Sequence, residues 1–169
     1  MLTQTSETAI RALIFIVLNR DRQPLTPRMI AERIEASPTY LSKTLRLLVK
    51  AGILQSVRGA HGGVMLARAP EHVTLLDIVE ACQGLIVGNY CTELGNREQL
   101  KGVCAFHHAM QEIYDATVGP LRRWTLAQLA VRPAPTSPDL DRCRCKMTVG
   151  CRSLAEPEES VSISREESQ

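Results

Sequence analysis

The chain has few aromatic residues, little net charge and no long apolar run. Phe, Tyr and Trp make up 4% of its 169 residues, and the formal net charge is +2. Any affinity for nucleic acid must therefore come from a local basic surface rather than from the field of the whole molecule. No apolar run is long enough to span a bilayer, and nothing resembles a signal peptide. We expect a cytoplasmic protein with no membrane partner.

Recognisable catalytic machinery is also missing, because no nucleophile, base and oxyanion-stabilising group occur together in a known pattern. This argues against an enzyme, although a metal-dependent or thiol-redox enzyme with an accessory domain is one reading. Six cysteines are present. In the cytoplasm they favour metal binding or redox chemistry over structural disulfides.

Residues 26–52 predict two short helices joined by a tight turn. Thr26-Pro27 and Ser37-Pro38 are both helix-start signals, and Gly52 is a good left-handed stop. Such a pair matches helix-turn-helix, in which the second helix enters the major groove. The alternative is a helical hairpin in an ordinary small domain. The candidate DNA-contacting residues of these helices are polar or basic: Thr26, Ser37, Thr39, Tyr40, Ser42, Lys43 and Arg46.

A β-hairpin is predicted directly after the second helix. Ile53–Val57 and Val64–Ala67 are strand-like, and the glycine-rich turn between them carries Arg58, Gly59 and His61. A hairpin in this position is typical of a wing that contacts phosphates or the minor groove. The window from Lys43 to Arg68 contains basic residues and no carboxylate, as a DNA-binding face requires.

The rest of the chain divides by its pattern of apolar residues. We predict a first helix from Thr3 to Asn19 that closes the core, and a long amphipathic helix from Ala105 to about Ala130. Between them we predict a helix Leu75–Cys82, opened by Thr74 with Asp77 as a capping-box-like partner and closed by Gly84. The long helix is expected to pair with its copy in a second subunit, or else to pack on its own domain. The predicted class is mainly α with a small β-hairpin: a winged helix-turn-helix domain (1–83), a sensor loop (84–104), a dimerisation helix (105–131) and a proline-linked, cysteine-containing, largely disordered acidic tail (132–169).

Cys91, Cys104 and His107 form the constellation with the clearest chemistry. Cys104 and His107 lie one turn apart at the start of the long helix, where the helix N-terminus favours a thiolate. Thiolate with imidazole suits zinc or an iron–sulfur cluster.

These motifs, taken together from Met1 to about Ala130, resemble the Rrf2 family of bacterial transcription regulators, of the IscR and NsrR type. The resemblance rests on the opening Met1-Leu2-Thr3, on Tyr40-Leu41, on Arg58-Gly59 through Gly62-Gly63, on Val73-Thr74-Leu75 and on Cys104 to His107. It implies a homodimeric DNA-binding regulator that is switched by an iron–sulfur cluster, with 2Fe-2S favoured over 4Fe-4S. The alternative is a cluster-free member that senses through cysteine thiols or a small metabolite.

The middle cluster cysteine of the family is missing, since no thiol occurs around Arg97 to Gln99. The resemblance gives Cys91, Cys104 and His107 as ligands. Substitutes for the absent ligand are Glu7 from the partner subunit, His108, and the extra thiols Cys82, Cys143, Cys145 and Cys151.

Overall fold

The computed structural model describes residues 2–59, 62–84, 86 and 105–131, and the fold is mainly helical with one small β-hairpin. Helix α1 (Gln4–Leu18) begins at Thr3, whose hydroxyl accepts a hydrogen bond from the Ser6 amide at 3.2 Å. Its buried face, including Leu13, Phe15 and Ile16, lies at the centre of the core. Helix α1 packs against α2 (Pro27–Arg33), α3 (Pro38–Lys50) and α4 (Leu75–Gln83). The predicted first helix and its role in closing the core are confirmed.

The helix-turn-helix forms as predicted, but its two helices differ in how their N-termini are capped. The Thr26 hydroxyl accepts from the Met29 amide at 3.3 Å and so caps α2, whereas Ser37 precedes α3 without making a side-chain capping bond. Glu35 in the intervening turn has a φ of 53°, a left-handed conformation that L residues adopt at a cost. Gly52 ends α3 with a φ of 68°, which confirms the predicted stop.

The wing is an antiparallel pair of β1 (Leu54–Val57) and β2 (Gly63–Leu66), with Leu54 opposite Leu66 and Val57 opposite Gly63. Leu25 extends it through two hydrogen bonds with Val64, each 2.9 Å. A Cβ at Gly63 would lie 2.4 Å from the Leu25 carbonyl oxygen, so this approach requires glycine. The wing is thereby fixed to the segment that leads into α2.

Helix α4 opens with a capping box in which Thr74 and Asp77 satisfy each other's backbone amides, as the sequence predicted. Short 3-10 turns occur at Arg20–Arg22 and Pro70–His72. No described helix combines the length and the apolar content needed to cross a membrane.

The predicted single helix from Ala105 to about Ala130 is wrong. Helix α5 (Ala105–Arg123) continues through Pro120 and stops at Trp124, and a separate helix α6 (Leu126–Ala130) starts from a second capping box, Thr125 with Gln128. Two backbone bonds of 2.8 Å join the break to the winged domain, from Leu75 to the Trp124 carbonyl and from Leu126 to the Val73 carbonyl. Leu126 is completely buried. The end of the predicted dimerisation helix therefore packs on its own domain.

Candidate nucleic-acid interface and sensor site

Helix α3 presents a polar face opposite the face that it buries. Leu41, Leu45 and Leu48 are buried in the core. The predicted DNA-contacting residues lie toward solvent: Thr39, Lys43 and Arg46 are exposed, and Tyr40 and Ser42 are half-buried. The core-facing leucines thus fix the rotation of α3 that leaves its polar side accessible.

Several hydroxyls of this face are already engaged within the protein. The Ser42 hydroxyl donates to the Pro38 carbonyl at 2.8 Å, and the Tyr40 hydroxyl lies 2.8 Å from the Thr5 hydroxyl of α1. Thr26 is exposed but serves as the α2 cap. Ser37 is exposed, and its side chain makes no capping bond. The Thr5–Tyr40 contact joins residues that are 35 positions apart. No sequence pattern indicated it.

The tip of the wing is basic and tightly turned. Arg58 and Gly59 are exposed, and Gly59 has a φ of 112°. A Cβ at Gly62 would lie 2.5 Å from the Val57 carbonyl oxygen, so a side chain there would not fit without movement. His61 lies outside the described residues. The wing therefore supplies one exposed guanidinium, that of Arg58, shortly after α3 in the sequence.

His107 is the sensor residue whose surroundings are most informative. It lies in the first turn of α5 and is only 3% exposed, and neither ring nitrogen has a hydrogen-bond partner in the described part of the chain. One turn later, Gln111 is 8% exposed and its amide oxygen is also unpartnered, while its amide nitrogen donates to Asp115 at 2.9 Å. A buried polar atom without a partner costs about 1–3 kcal/mol. Among the described residues, therefore, nothing engages either nitrogen of the buried His107 ring.

The other proposed ligands among the described residues are less buried than His107. Glu7 is exposed on α1, and His108 is exposed and lies 3.4 Å from Glu112. Burial raises the pKa of the half-buried Cys82 thiol to about 11, and a hydrogen bond with the Ser6 side chain opposes this only in part. Burial therefore favours the protonated thiol of Cys82 over the thiolate form that binds metals.

The remaining predicted ligands, Cys91, Cys104, Cys143, Cys145 and Cys151, lie outside the described residues, as does the predicted acidic tail. Within the described ranges, no group of three or more His, Cys, Asp or Glu side chains could hold a metal ion. Of the three ligands that the resemblance implies, the described residues include His107.

Several large apolar side chains on or next to helix α5 are exposed. Phe106 is 60% exposed, Ile113 58% and Trp124 46%. At 3.6 residues per turn, Phe106 and Ile113 fall on one side of the α5 axis, apart from the side that buries His107 and Val118, and Trp124 follows the last residue of α5. We call Phe106, Ile113 and Trp124 the α5 strip.

Comparisons with known proteins agree with this fold. Residues 2–132 match the Rrf2 family model, described as an iron-dependent transcriptional regulator. The chain is 34% identical over 128 residues to protein rrf2 of Nitratidesulfovibrio vulgaris, an alignment covering 76% of this chain and 85% of that one. It is 30% identical over 129 residues to the HTH-type transcriptional regulator NsrR of Geobacillus kaustophilus, covering 76% and 88%.

A solved structure gives the same result. That of CymR, described as the global cysteine regulator of B. subtilis, superposes with a TM-score of 0.62 at 25% identity and covers 77% of this chain and 95% of that one. The winged-helix architecture is confirmed, and the related proteins are regulators rather than enzymes. The chain belongs to the Rrf2 family of transcriptional regulators.

Proposed function

We propose that this chain acts as a homodimer in the cytoplasm, binds an operator in double-stranded DNA, and changes its operator affinity with the state of an iron–sulfur cluster. Membership of the Rrf2 family supports the regulatory role. The observation that carries the cluster part of the proposal is His107, which is buried with both ring nitrogens unpartnered among the described residues.

DNA binding would use the polar face of α3 and the wing together. The N-terminal part of α3 would enter the major groove, where Thr39, Lys43 and Arg46 are accessible. Arg58 at the wing tip would contact the phosphate backbone or the minor groove. The absence of carboxylates between Lys43 and Arg68 favours this face for DNA because no negative side chain there repels phosphate.

Dimerisation would use the α5 strip. Large apolar side chains that lie exposed along one helix side mark an interaction surface, since water covers them at a free-energy cost. A second copy presents the same strip, so a twofold arrangement would bury both strips against each other. Twofold symmetry would also match two recognition helices to half-sites about 34 Å apart.

For the cluster, Cys91, Cys104 and His107 would serve as ligands, and the fourth would come from Glu7 of the second subunit or from a tail thiol. His107 fits this role because a neutral imidazole offers one acceptor nitrogen to a metal, and neither nitrogen is engaged elsewhere in the described chain. Exposed Glu7 fits a contact made between subunits. A 2Fe-2S cluster would supply a centre that is sensitive to redox state, nitric oxide or iron supply.

The packing of the chain provides a route from this site to the DNA-binding face. Helix α5, which carries His107, packs on α4, and α4 packs on both α1 and α3. A ligand shifts a conformational equilibrium only through its different affinities for the two states. Occupancy at His107 would therefore affect α3 if it changes how α5 sits on α4.

The test is anaerobic purification followed by an absorbance spectrum and by iron and acid-labile sulfide analysis. We expect brown protein with equal amounts of iron and sulfide, and a colourless, iron-free protein when Cys91→Ala and Cys104→Ala are combined. Cys82→Ala is the matched control, since its half-buried thiol is hydrogen-bonded with the Ser6 side chain within the chain, and this variant should keep the iron. Iron that persists in the double variant would exclude the proposed ligands.

A second candidate function is sensing through thiols or a small metabolite without a cluster. The missing thiol near Arg97 to Gln99 favours it. So does the similarity to CymR, described as a cysteine regulator. Colourless protein that binds DNA even after attempted cluster reconstitution would support this candidate. Its response to thiol oxidants would then be traced through single substitutions of Cys143, Cys145 and Cys151.

A further inference from the structure

The first turn of α1 meets the first turn of α3 through a pair of side-chain hydroxyls. Thr5 Oγ1 and Tyr40 Oη are 2.8 Å apart, and both residues are half-buried. Tyr40 is the third residue of α3, at the helix end that a helix-turn-helix directs toward DNA. A residue of α1, which lies outside the DNA-reading motif, therefore contacts the end of the recognition helix.

We propose that Thr5 is a positioning residue for DNA binding that acts by orienting the Tyr40 hydroxyl toward a backbone phosphate. The inference rests on the proposed DNA interface. Thr5 itself need not touch DNA.

The number of hydrogens on the two hydroxyls determines which of them donates to the other when the protein is bound to DNA. Each hydroxyl has one hydrogen to donate and two acceptor sites. A phosphate oxygen only accepts, so a Tyr40 hydroxyl that binds phosphate must give it the single hydrogen. The Thr5 hydroxyl must then donate to Tyr40 Oη. In this arrangement Thr5 fixes the tyrosine oxygen and leaves the Tyr40 hydrogen available for DNA.

Thr5 can act as a fixed point because its own turn is anchored on both sides. Ser6 is completely buried, and its hydroxyl donates to the Gln83 amide oxygen of α4 at 3.2 Å. The Thr3 hydroxyl caps the same turn through the Ser6 amide. An anchored Thr5 would hold the Tyr40 ring in one orientation before DNA arrives, which reduces the entropy lost on binding.

The expected consequence is a loss of affinity that does not depend on DNA sequence. Backbone contacts position a protein on DNA without reading bases. One neutral hydrogen bond corresponds to an affinity change of about three- to tenfold. A neutral contact releases no counterion, so the salt dependence should stay unchanged, whereas Arg58→Ala should flatten it.

The experiment measures binding of the full-length protein to a fluorescent duplex of random sequence, by anisotropy at several salt concentrations. We expect Thr5→Val and Tyr40→Phe each to weaken binding by about three- to tenfold, with the wild-type salt slope. The double variant should bind no more weakly than Tyr40→Phe alone, because Thr5 acts only through Tyr40. Thr5→Ser, which keeps the hydroxyl, should restore wild-type affinity.

Thr8→Val is the matched control. Thr8 also lies on α1, but its hydroxyl donates to the Gln4 carbonyl at 2.8 Å, so it should retain wild-type affinity. The inference would be overturned if Thr5→Val or Tyr40→Phe bound DNA with wild-type affinity. It would also be overturned if the double variant bound DNA more weakly than Tyr40→Phe alone. If Thr5→Val does not fold, the affinities of Tyr40→Phe and Thr5→Ser still test the inference. A wild-type protein that binds no duplex at all would instead contradict the proposed DNA interface.

Discussion

His107 is deeply buried, and neither of its ring nitrogens has a hydrogen-bond partner among the described residues. Only 3% of the residue is exposed. A side chain kept only for packing would be apolar, because an unsatisfied buried polar atom destabilises the folded state. Under the proposed function, a bound cluster would satisfy the ring and offset this destabilisation.

The same destabilisation predicts that His107→Leu stabilises the metal-free protein. Leucine has a similar volume and no polar atoms, so the free energy of unfolding should rise by about 1–2 kcal/mol. Chelator-treated protein would be unfolded in urea and monitored by circular dichroism. His108→Leu, on the exposed side of the same turn, should give almost no gain. Equal or lower stability of His107→Leu would mean that the buried nitrogens are satisfied in solution.

At the scale of elements, the turn between α2 and α3 contains a non-glycine residue in a left-handed backbone conformation. Glu35 is exposed and has a φ of 53°. The turn is closed by a hydrogen bond from the Ala36 amide to the Ala31 carbonyl at 2.9 Å. Burial of Ile34 and Leu41 on either side holds the two helices in place, so the backbone at Glu35 follows the packing rather than its own preference.

We therefore expect Glu35→Gly to stabilise the protein by about 0.5–1 kcal/mol. Glycine removes the strain of the left-handed conformation, but its greater backbone freedom in the unfolded chain offsets part of this gain. Urea midpoints at an unchanged slope would measure the gain. Glu35→Ala removes the same exposed carboxylate but keeps the strained conformation, so it should show no gain. A glycine variant no more stable than the alanine variant would contradict the role of strain at this position.

The sequence predicted those elements that local chemistry determines. Thr26-Pro27, Gly52 and the box of Thr74 with Asp77 gave the helix ends correctly, and the glycine-rich turn gave the wing. These signals are local, because a cap or a turn is satisfied within a few residues. The boundary residues differ by only one or two positions.

The break between α5 and α6 was missed because its cause is mostly tertiary. The apolar periodicity continues through Trp124, Leu126 and Leu129, and periodicity alone does not distinguish one helix from two. The backbone bonds to Val73 and Leu75 bring residues more than 45 positions apart together, and no local pattern reports them. Thr125 with Gln128 was the available signal, since it has the spacing of a capping box. The Thr5–Tyr40 contact was missed for the same reason.

In the whole molecule, α5 has two sides with different roles. The side with His107, Gln111 and Val118 is buried, and the side chains of the α5 strip are exposed. A change of subunit arrangement would therefore act on the same helix that holds the candidate ligand. This shared helix is how sensing and dimerisation would influence each other.

If the α5 strip forms the proposed dimer interface, Ile113→Glu should disrupt the dimer and with it operator binding. Ile113 is 58% exposed, so glutamate is tolerated in the monomer, but in a paired interface each subunit would bury a carboxylate against apolar side chains. Light scattering should show the molar mass of one chain where the wild type shows two. DNA affinity should fall by at least about tenfold, because a single recognition helix loses the second half-site.

Gly119→Glu is the matched control for this substitution. Gly119 lies on the same helix, about 120° around its axis from Ile113, and nothing stands within 4 Å of a Cβ built there. It adds the same charge away from the α5 strip and should leave both the molar mass and the affinity unchanged. An Ile113→Glu protein that remains dimeric would move the interface away from α5, and one that is monomeric but binds DNA with wild-type affinity would remove the need for a second half-site.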